Sequence, residues 1–181
     1  MSFYYVVLFF HISGALILFM GLSLEWVGIS RLNSAVNPEQ AGDWVKFLSS
    51  LKVAFISGGT LLLITGIYLA AARWGWTAWI IVSFILWLFL TIHGSVVTGA
   101  KVRKFSKLLS SASEMTTANL SMHVSKLKLI KLLQSRLVIG LGAVFIMTVK
   151  PKIAGSIIVV LIAVILGFLP LLTKQKTTAP N

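Results

Sequence analysis

Apolar residues in this chain come in long, nearly uninterrupted runs. The first run, FYYVVLFFHISGALILFMGLSLEW, covers residues 3–26 and carries only a histidine and a glutamate as ionisable groups. A helix needs about 20 apolar residues to cross a hydrocarbon layer of roughly 30 Å. The pattern therefore predicts five membrane-spanning helices, at about 3–29, 53–72, 77–98, 129–149 and 153–172.

Short polar breaks separate these runs. RWGW at 73–76 predicts a tight turn, and Pro151 ends the fourth helix because it has no amide hydrogen. The fourth run is short, so Lys131 and Arg136 are expected to belong to it and to reach the interface. Residues 99–134 are predicted as a basic loop with a polar middle and basic, helical flanks on the membrane surface. The expected fold is an all-α polytopic bundle in one transmembrane domain.

The composition is typical of a membrane protein and excludes several kinds of metal and catalytic site. The chain is 57% hydrophobic and 11% charged, whereas soluble domains contain roughly 25% charged residues. The absence of cysteine excludes disulfides, iron–sulfur clusters, thiolate zinc and c-type haem. With four acidic residues and no cysteine, a hydrolytic triad or carboxylate pair is not expected.

The net charge of +12 predicts orientation rather than nucleic-acid binding, because the basic residues lie between the apolar runs. Only Arg73, Lys150 and Lys152 fall on one side of the membrane. The other thirteen fall on the opposite side: Arg31, Lys46, Lys52, eight from Lys101 to Arg136, Lys174 and Lys176. The positive-inside rule then places the N-terminus outside and the C-terminus in the cytoplasm. The basic side is expected to meet anionic lipids of the inner leaflet.

Ionisable residues within the spans are the strongest functional signal. Charged side chains in a membrane cost on the order of 2.5–3.5 kcal/mol each, so they are expected to face the bundle interior and to have partners. Glu25, Arg31, Lys52 and His93 fall near the inner level and are predicted to form an intramembrane polar cluster. This cluster would be a structural ion pair or a proton relay.

His11 has two interpretations, a histidine hydrogen-bonded to a neighbouring helix or an axial ligand of haem iron. His11 and His93 are predicted at different depths, roughly 12 Å and 25 Å from the outer ends of their helices. Two ligands of one haem need similar depth, so these histidines match poorly as a pair. Met147 in the fourth span is a candidate second ligand at the outer level. No other metal site is expected.

Several motifs spread over residues 9–152 resemble those of HemJ-type protoporphyrinogen oxidases and related copper-resistance-D-like bacterial membrane proteins. They are FFHI with GL ten residues after the histidine, LLLITGIYL, RWGW, LTIHGSVVTGAKVRKF and VFIMTVKPK. The resemblance implies a b-type haem held by His11 and oxidation of protoporphyrinogen in the bacterial cytoplasmic membrane. HemJ proteins carry a lysine early in the third span, where this chain has Trp79. The chain therefore departs from HemJ at a residue that the oxidase activity needs, and it is more similar to the uncharacterised relatives.

Three functions follow as hypotheses. The first is a haem-binding protein for electron transfer or haem handling, which would need a redox partner if it is an oxidoreductase. The second is a small proton- or ion-coupled transporter that uses the Glu25–His93 region. The third is a non-catalytic accessory subunit, in a membrane complex or a homo-oligomer.

Overall fold

The computed structural model describes residues 3–111 and 117–172, and these residues form the predicted all-α fold, with no strand among them. Two helices continue into a π-helical turn, Ala70–Trp74 after the third helix and His93–Thr98 after the fourth. The helices are α1 (Phe3–Asn33), α2 (Pro38–Ser50), α3 (Lys52–Leu69), α4 (Ala78–Ile92), α5 (Gly99–Ser111), α6 (Thr117–Leu127), α7 (Leu129–Val149) and α8 (Ile153–Leu172).

Within the described residues, five helical stretches are long and apolar enough to cross a membrane, so the chain is a multi-pass membrane protein. The stretches are Phe3–Asn33, Pro38–Trp74, Ala78–Ser111, Asn119–Val149 and Ile153–Leu172. A turn at Gly75 follows the second stretch, and its φ of +65° suits glycine. Pro151 lies in the turn after the fourth. Contacts of Trp74 with Tyr4 and Lys150 bring these two turns and the start of α1 to one end, which we call the N-terminal face. The opposite end is the cap face.

Two glycines allow α1 and α3 to touch through their backbones. A Cβ atom at Gly14 would lie 3.1 Å from the carbonyl oxygen of Gly58, and a Cβ atom at Gly58 would lie 3.1 Å from that of Gly14. Apolar side chains gain little by leaving lipid tails, so helix association in a membrane depends on such close backbone approach. The contact fixes the position of α1 against α3.

The central helix is α7, which packs against α1, α4 and α8. Ile139 and Ile146 of α7 are 1% and 0% exposed and form a core with Leu86 of α4. On α8, Ala163 approaches Gly142 so closely that a Cβ atom there would lie 2.8 Å from the alanine methyl. A larger residue at 142 would therefore push α8 away from α7.

At the cap face, α2, α5 and α6 form a helical cap over the ends of α1 and α7. Two side chains cap the start of α2, since Gln40 N donates to Asn37 Oδ1 at 2.8 Å and Val36 N donates to Gln40 Oε1 at 3.0 Å. All five helices contribute to the cap core, which contains Ile29, Leu32, Ala41, Val45, Val102, Phe105, Leu120, Val124, Leu129 and Leu133.

The segment predicted as a loop at 99–134 is largely helical. Residues 99–111 continue α4, in agreement with the predicted helical flank, whereas 117–127 form α6 within the predicted polar middle. Residues 112–116 of the predicted polar middle lie outside the described residues. The long apolar runs predict no helix at 38–50, although Ala41, Trp44, Val45 and Leu48 follow the three-and-four spacing of an apolar helix face. Both segments are helical because each buries such a face in the cap core.

Truncation of Phe105 tests whether the cap is a packed unit. Phe105 is 1% exposed, and Phe105→Ala should lower the free energy of unfolding by about 3–5 kcal/mol because it leaves a cavity. The measurement is denaturation in mixed micelles followed by circular dichroism. Leu108→Ala on the same helix is the control, since Leu108 is 36% exposed, and it should cost about 1 kcal/mol or less. Equal losses for the two variants would contradict a packed cap.

Candidate functional site

A buried ion pair joins α1 to α7. The Arg136 Nη1 donates to both carboxylate oxygens of Glu25, at 2.7 and 2.8 Å. Glu25 is 6% exposed and Arg136 is 7% exposed. Charge-assisted hydrogen bonds of this length are roughly twice as strong as neutral ones. Each charge thus has its counter-ion inside the bundle.

Neighbouring residues hold the guanidinium in place. Its Cζ lies 5.1 Å from the centre of the Phe55 ring, a cation–π contact from α3. Gly94 lets it pass closely, because a Cβ atom there would lie 3.2 Å from Arg136 Nη2. Gly21 in turn makes room for Phe55, whose ring would lie 3.2 Å from a Cβ atom at that position. The pair therefore depends on two glycines and an aromatic ring as well as on its own charges.

Gly94 belongs to the π-helical turn that begins with His93. The His93 ring stacks on Phe89 at 5.7 Å and meets Phe168 of α8 edge-on at 6.2 Å. Its Nδ1 is buried and has no hydrogen-bond partner among the described residues. Single π-helical turns inside α-helices occur often at functional sites. Here the turn places a histidine and a glycine beside the arginine of the ion pair.

The predicted polar cluster at this level needs correction. Its members Arg31 and Lys52 are exposed, and within the described residues neither lies within ion-pair distance of Glu25. Arg136, expected to reach the interface, is the actual partner. A sequence signal for this existed, because Leu129, Leu132, Leu133, Arg136 and Ile139 share one buried face of α7 at three-and-four spacing. An arginine on that face needs a buried partner, and Glu25 is the only acidic residue in the spans predicted from the sequence.

His11 lies in the other half of α1 and contacts α3. Its Nδ1 is 2.9 Å from Thr65 Oγ1, and the Thr65 hydroxyl donates its single proton to the Leu61 carbonyl at 2.5 Å. The Thr65 oxygen is then left to accept a hydrogen bond from the Nδ1–H group of His11. The Leu62 carbonyl is a further acceptor near the ring. In a neutral imidazole with Nδ1 protonated, the lone pair is on Nε2.

Gly66 permits this close contact, since a Cβ atom there would lie 3.2 Å from His11 Cε1. Histidine ligands of metals usually donate their second ring N–H to an oxygen, which fixes the tautomer and the ring orientation. The Thr65 contact provides that arrangement. A histidine in this tautomer has the Nε2 lone pair that an axial ligand of haem iron needs.

The structure does not bring the other predicted ligands to His11. His93 is beside Arg136, the partner of Glu25, and Glu25 is 14 residues from His11, or about 21 Å along α1. Met147 is half-buried near the end of α7 at the N-terminal face. No hydrogen bond or ring contact joins it to His11 in the described part of the chain. Nor do those residues contain a group of three or more histidine or acidic side chains suited to a metal ion.

Trp79, at the position of the expected lysine, has a cation beside it. Its ring meets Trp74 edge-on at 5.7 Å, and Lys150 Nζ lies 5.9 Å from its centre. This lysine comes from the turn between α7 and α8 rather than from α4. A positive charge is thus present at the start of α4 without a lysine in that helix.

Removing one charge of the ion pair should destabilise the bundle more than removing both charges. Glu25→Gln leaves the arginine charge buried and unpaired, so the free energy of unfolding should fall by about 3–5 kcal/mol. The double variant with Arg136→Met removes both charges and should recover most of this loss. Denaturation of purified protein in micelles measures each value.

Lys46→Gln is the control for these variants, because Lys46 forms an exposed ion pair with Asp43. The Lys46 side chain is 83% accessible and that of Asp43 is 68% accessible. Its loss should cost about 1 kcal/mol or less. A double variant no more stable than Glu25→Gln would show that the two residues do not act as a pair.

Comparison with family models, curated proteins and solved structures found no match to this chain. The resemblance to HemJ-type proteins therefore stays a prediction from the sequence motifs. What the chain does must be inferred from the contacts of its own residues.

Proposed function

We propose that this protein binds one b-type haem through Nε2 of His11 and serves in electron transfer or haem handling within the membrane. The observation that carries the proposal is the 2.9 Å contact between His11 Nδ1 and Thr65 Oγ1. It assigns the ring proton to Nδ1 and directs the Nε2 lone pair away from that bond. The motif resemblance to HemJ-type proteins supports the same ligand.

Bound haem would supply one-electron chemistry, with a potential set by its axial ligand and surroundings. The neighbouring residues of this chain would set the orientation and the basicity of His11. Thr65 holds the ring in one tautomer, and its acceptor oxygen makes Nε2 a more basic ligand. Gly66 allows the ring to lie against the α3 backbone. A second iron ligand among His93 and Met147 forms no part of the proposal, because neither contacts His11.

The N-terminal face would lie outside a bacterial cytoplasmic membrane, and the cap face would lie in the cytoplasm. Support comes from the charge distribution, since Arg103, Lys104, Lys107 and Lys126 are all exposed on the cap. These cations suit contact with anionic lipids of the inner leaflet or with an acidic redox partner.

Transport is less well supported than haem binding. A proton relay needs a group that exchanges protons, whereas Arg136 engages both oxygens of Glu25. We assign this ion pair a structural role. The proposal does not extend to protoporphyrinogen oxidation, because the lysine expected in α4 is replaced by Trp79.

The reduced-minus-oxidised absorption spectrum of protein purified from haem-replete cells tests the proposal. We expect a b-type spectrum in the natural protein and its loss in His11→Ala. His123→Ala, in the cap, is the matched control and should keep the spectrum. A colourless natural protein, or an unchanged spectrum in His11→Ala, would overturn the assignment.

Thr65→Val tests the role of the hydrogen bond while keeping the side-chain volume. Loss of the acceptor should make Nε2 less basic, weaken haem affinity by about 10–100-fold and raise the reduction potential. Haem titration and potentiometry measure the two effects. Thr91→Val is a suitable control, because the Thr91 hydroxyl donates only to the carbonyl of Trp87 in its own helix. Equal behaviour of the two threonine variants would contradict a role for Thr65.

A further inference from the structure

Basic residues gather at the N-terminal face, where the positive-inside pattern predicts few. Lys150 Nζ lies 4.0 Å from the centre of the Trp74 ring, and Arg73 Cζ lies 5.9 Å from the same ring. The two cations are therefore no more than about 10 Å apart. Tyr4 joins them, since its ring centre is 5.3 Å from Arg73 Cζ and its hydroxyl accepts from Trp74 Nε1 at 3.3 Å.

In the part of the chain that the structure describes, no carboxylate lies within ion-pair distance of these cations. The acidic residues of that part are Glu25, Glu39 and Asp43, and none lies in the segments that form the N-terminal face. Lys152 adds a third exposed cation two residues after Lys150. Aromatic rings attract a cation by only about 0.5–1 kcal/mol at exposed sites, so they do not neutralise it. The cluster thus retains the capacity to bind an anion.

An apolar groove of about 220 Å³ lies between α4 and α8, lined by Val82, Ile85, Leu86, Ile157, Val160 and Leu161. It presents no polar surface. On α4 its first residue is three positions after Trp79, and on α8 it is four positions after Ile153, where that helix begins. At about 1.5 Å per residue, the groove begins roughly 5–6 Å below the N-terminal face.

We propose that the cation cluster and the groove together bind one anionic phospholipid. Its phosphate would lie between Arg73 and Lys150, and an acyl chain would follow the groove between α4 and α8. The order of polar and apolar parts along the membrane normal matches that of a phospholipid. The charge excess selects an anionic headgroup over a zwitterionic one, because the zwitterion brings its own cation. This inference does not depend on haem binding.

The test uses full-length protein in nanodiscs that contain phosphatidylglycerol and phosphatidylcholine. The lipids that stay bound after release into detergent are identified by native mass spectrometry. The natural protein should retain one phosphatidylglycerol in preference to phosphatidylcholine. The variant Arg73→Gln/Lys150→Gln should lose this preference by on the order of tenfold or more.

Arg103→Gln/Lys104→Gln makes the same change of charge on exposed cap residues and is the matched control. It should retain phosphatidylglycerol like the natural protein. Leu161→Trp fills the groove at a residue that is 56% exposed, and it should reduce retention while the charge stays constant. Circular dichroism of each variant checks that the helices are intact.

Four results would overturn the proposal. The first is equal retention of phosphatidylglycerol by the Arg73→Gln/Lys150→Gln variant and the control, and the second is equal retention of both lipids by the natural protein. The third is displacement of the lipid by inorganic phosphate alone. The fourth is a dimer of the chain that excludes lipid from the groove. The third would mark a site for a free anion, and the fourth would mark an interface between two copies.

Discussion

The buried pair of Glu25 and Arg136 fixes how α1 and α7 meet. Arg136 lies between two apolar cores, with Leu133 in the cap core and Ile139 in the core of α4, α7 and α8. An ion pair at such a place gains little net stability, because desolvation offsets most of the attraction, yet breaking it is costly. We infer that its main effect is specificity. The two hydrogen bonds form only when α7 has a rotation and depth against α1 that bring the guanidinium to the carboxylate.

The ion pair also fixes the position of His11, because both Glu25 and His11 belong to α1. Glu25 and His11 are 14 residues apart on one continuous helix, so anchoring Glu25 sets both the depth of His11 and the direction of its side chain. The close contact of Gly14 with Gly58 then positions α3, which carries Thr65 and Gly66. The hydrogen bond that defines the histidine tautomer is therefore a consequence of two helix contacts, one electrostatic and one of backbone packing.

Much of the fold follows from the sequence, because a long apolar run has few structures available in a membrane. The site is harder to predict. The sequence predicts Arg136 at the interface because a charge near the end of a short span often reaches water, and only its place on the buried face of α7 indicates otherwise. The tautomer of His11 was beyond prediction, since it depends on Thr65, 54 positions away in sequence. The helix α2 has no long apolar run that would predict it, although Asn37, Pro38 and Gln40 give a recognisable helix start.

Charge imbalance explains why the cations of this protein have such varied partners. The chain has 16 basic residues and four acidic ones, so most cations cannot pair with a carboxylate. Arg136 pairs with Glu25, the one acid within the predicted spans, and also contacts the Phe55 ring. Lys101 donates to the Leu127 carbonyl at 2.8 Å, and Lys150 lies over the Trp74 ring. Carbonyl groups and aromatic rings attract a cation without neutralising it. Neutralisation has to come from outside the chain, and the anion that a membrane supplies at both faces is the phosphate of its lipids.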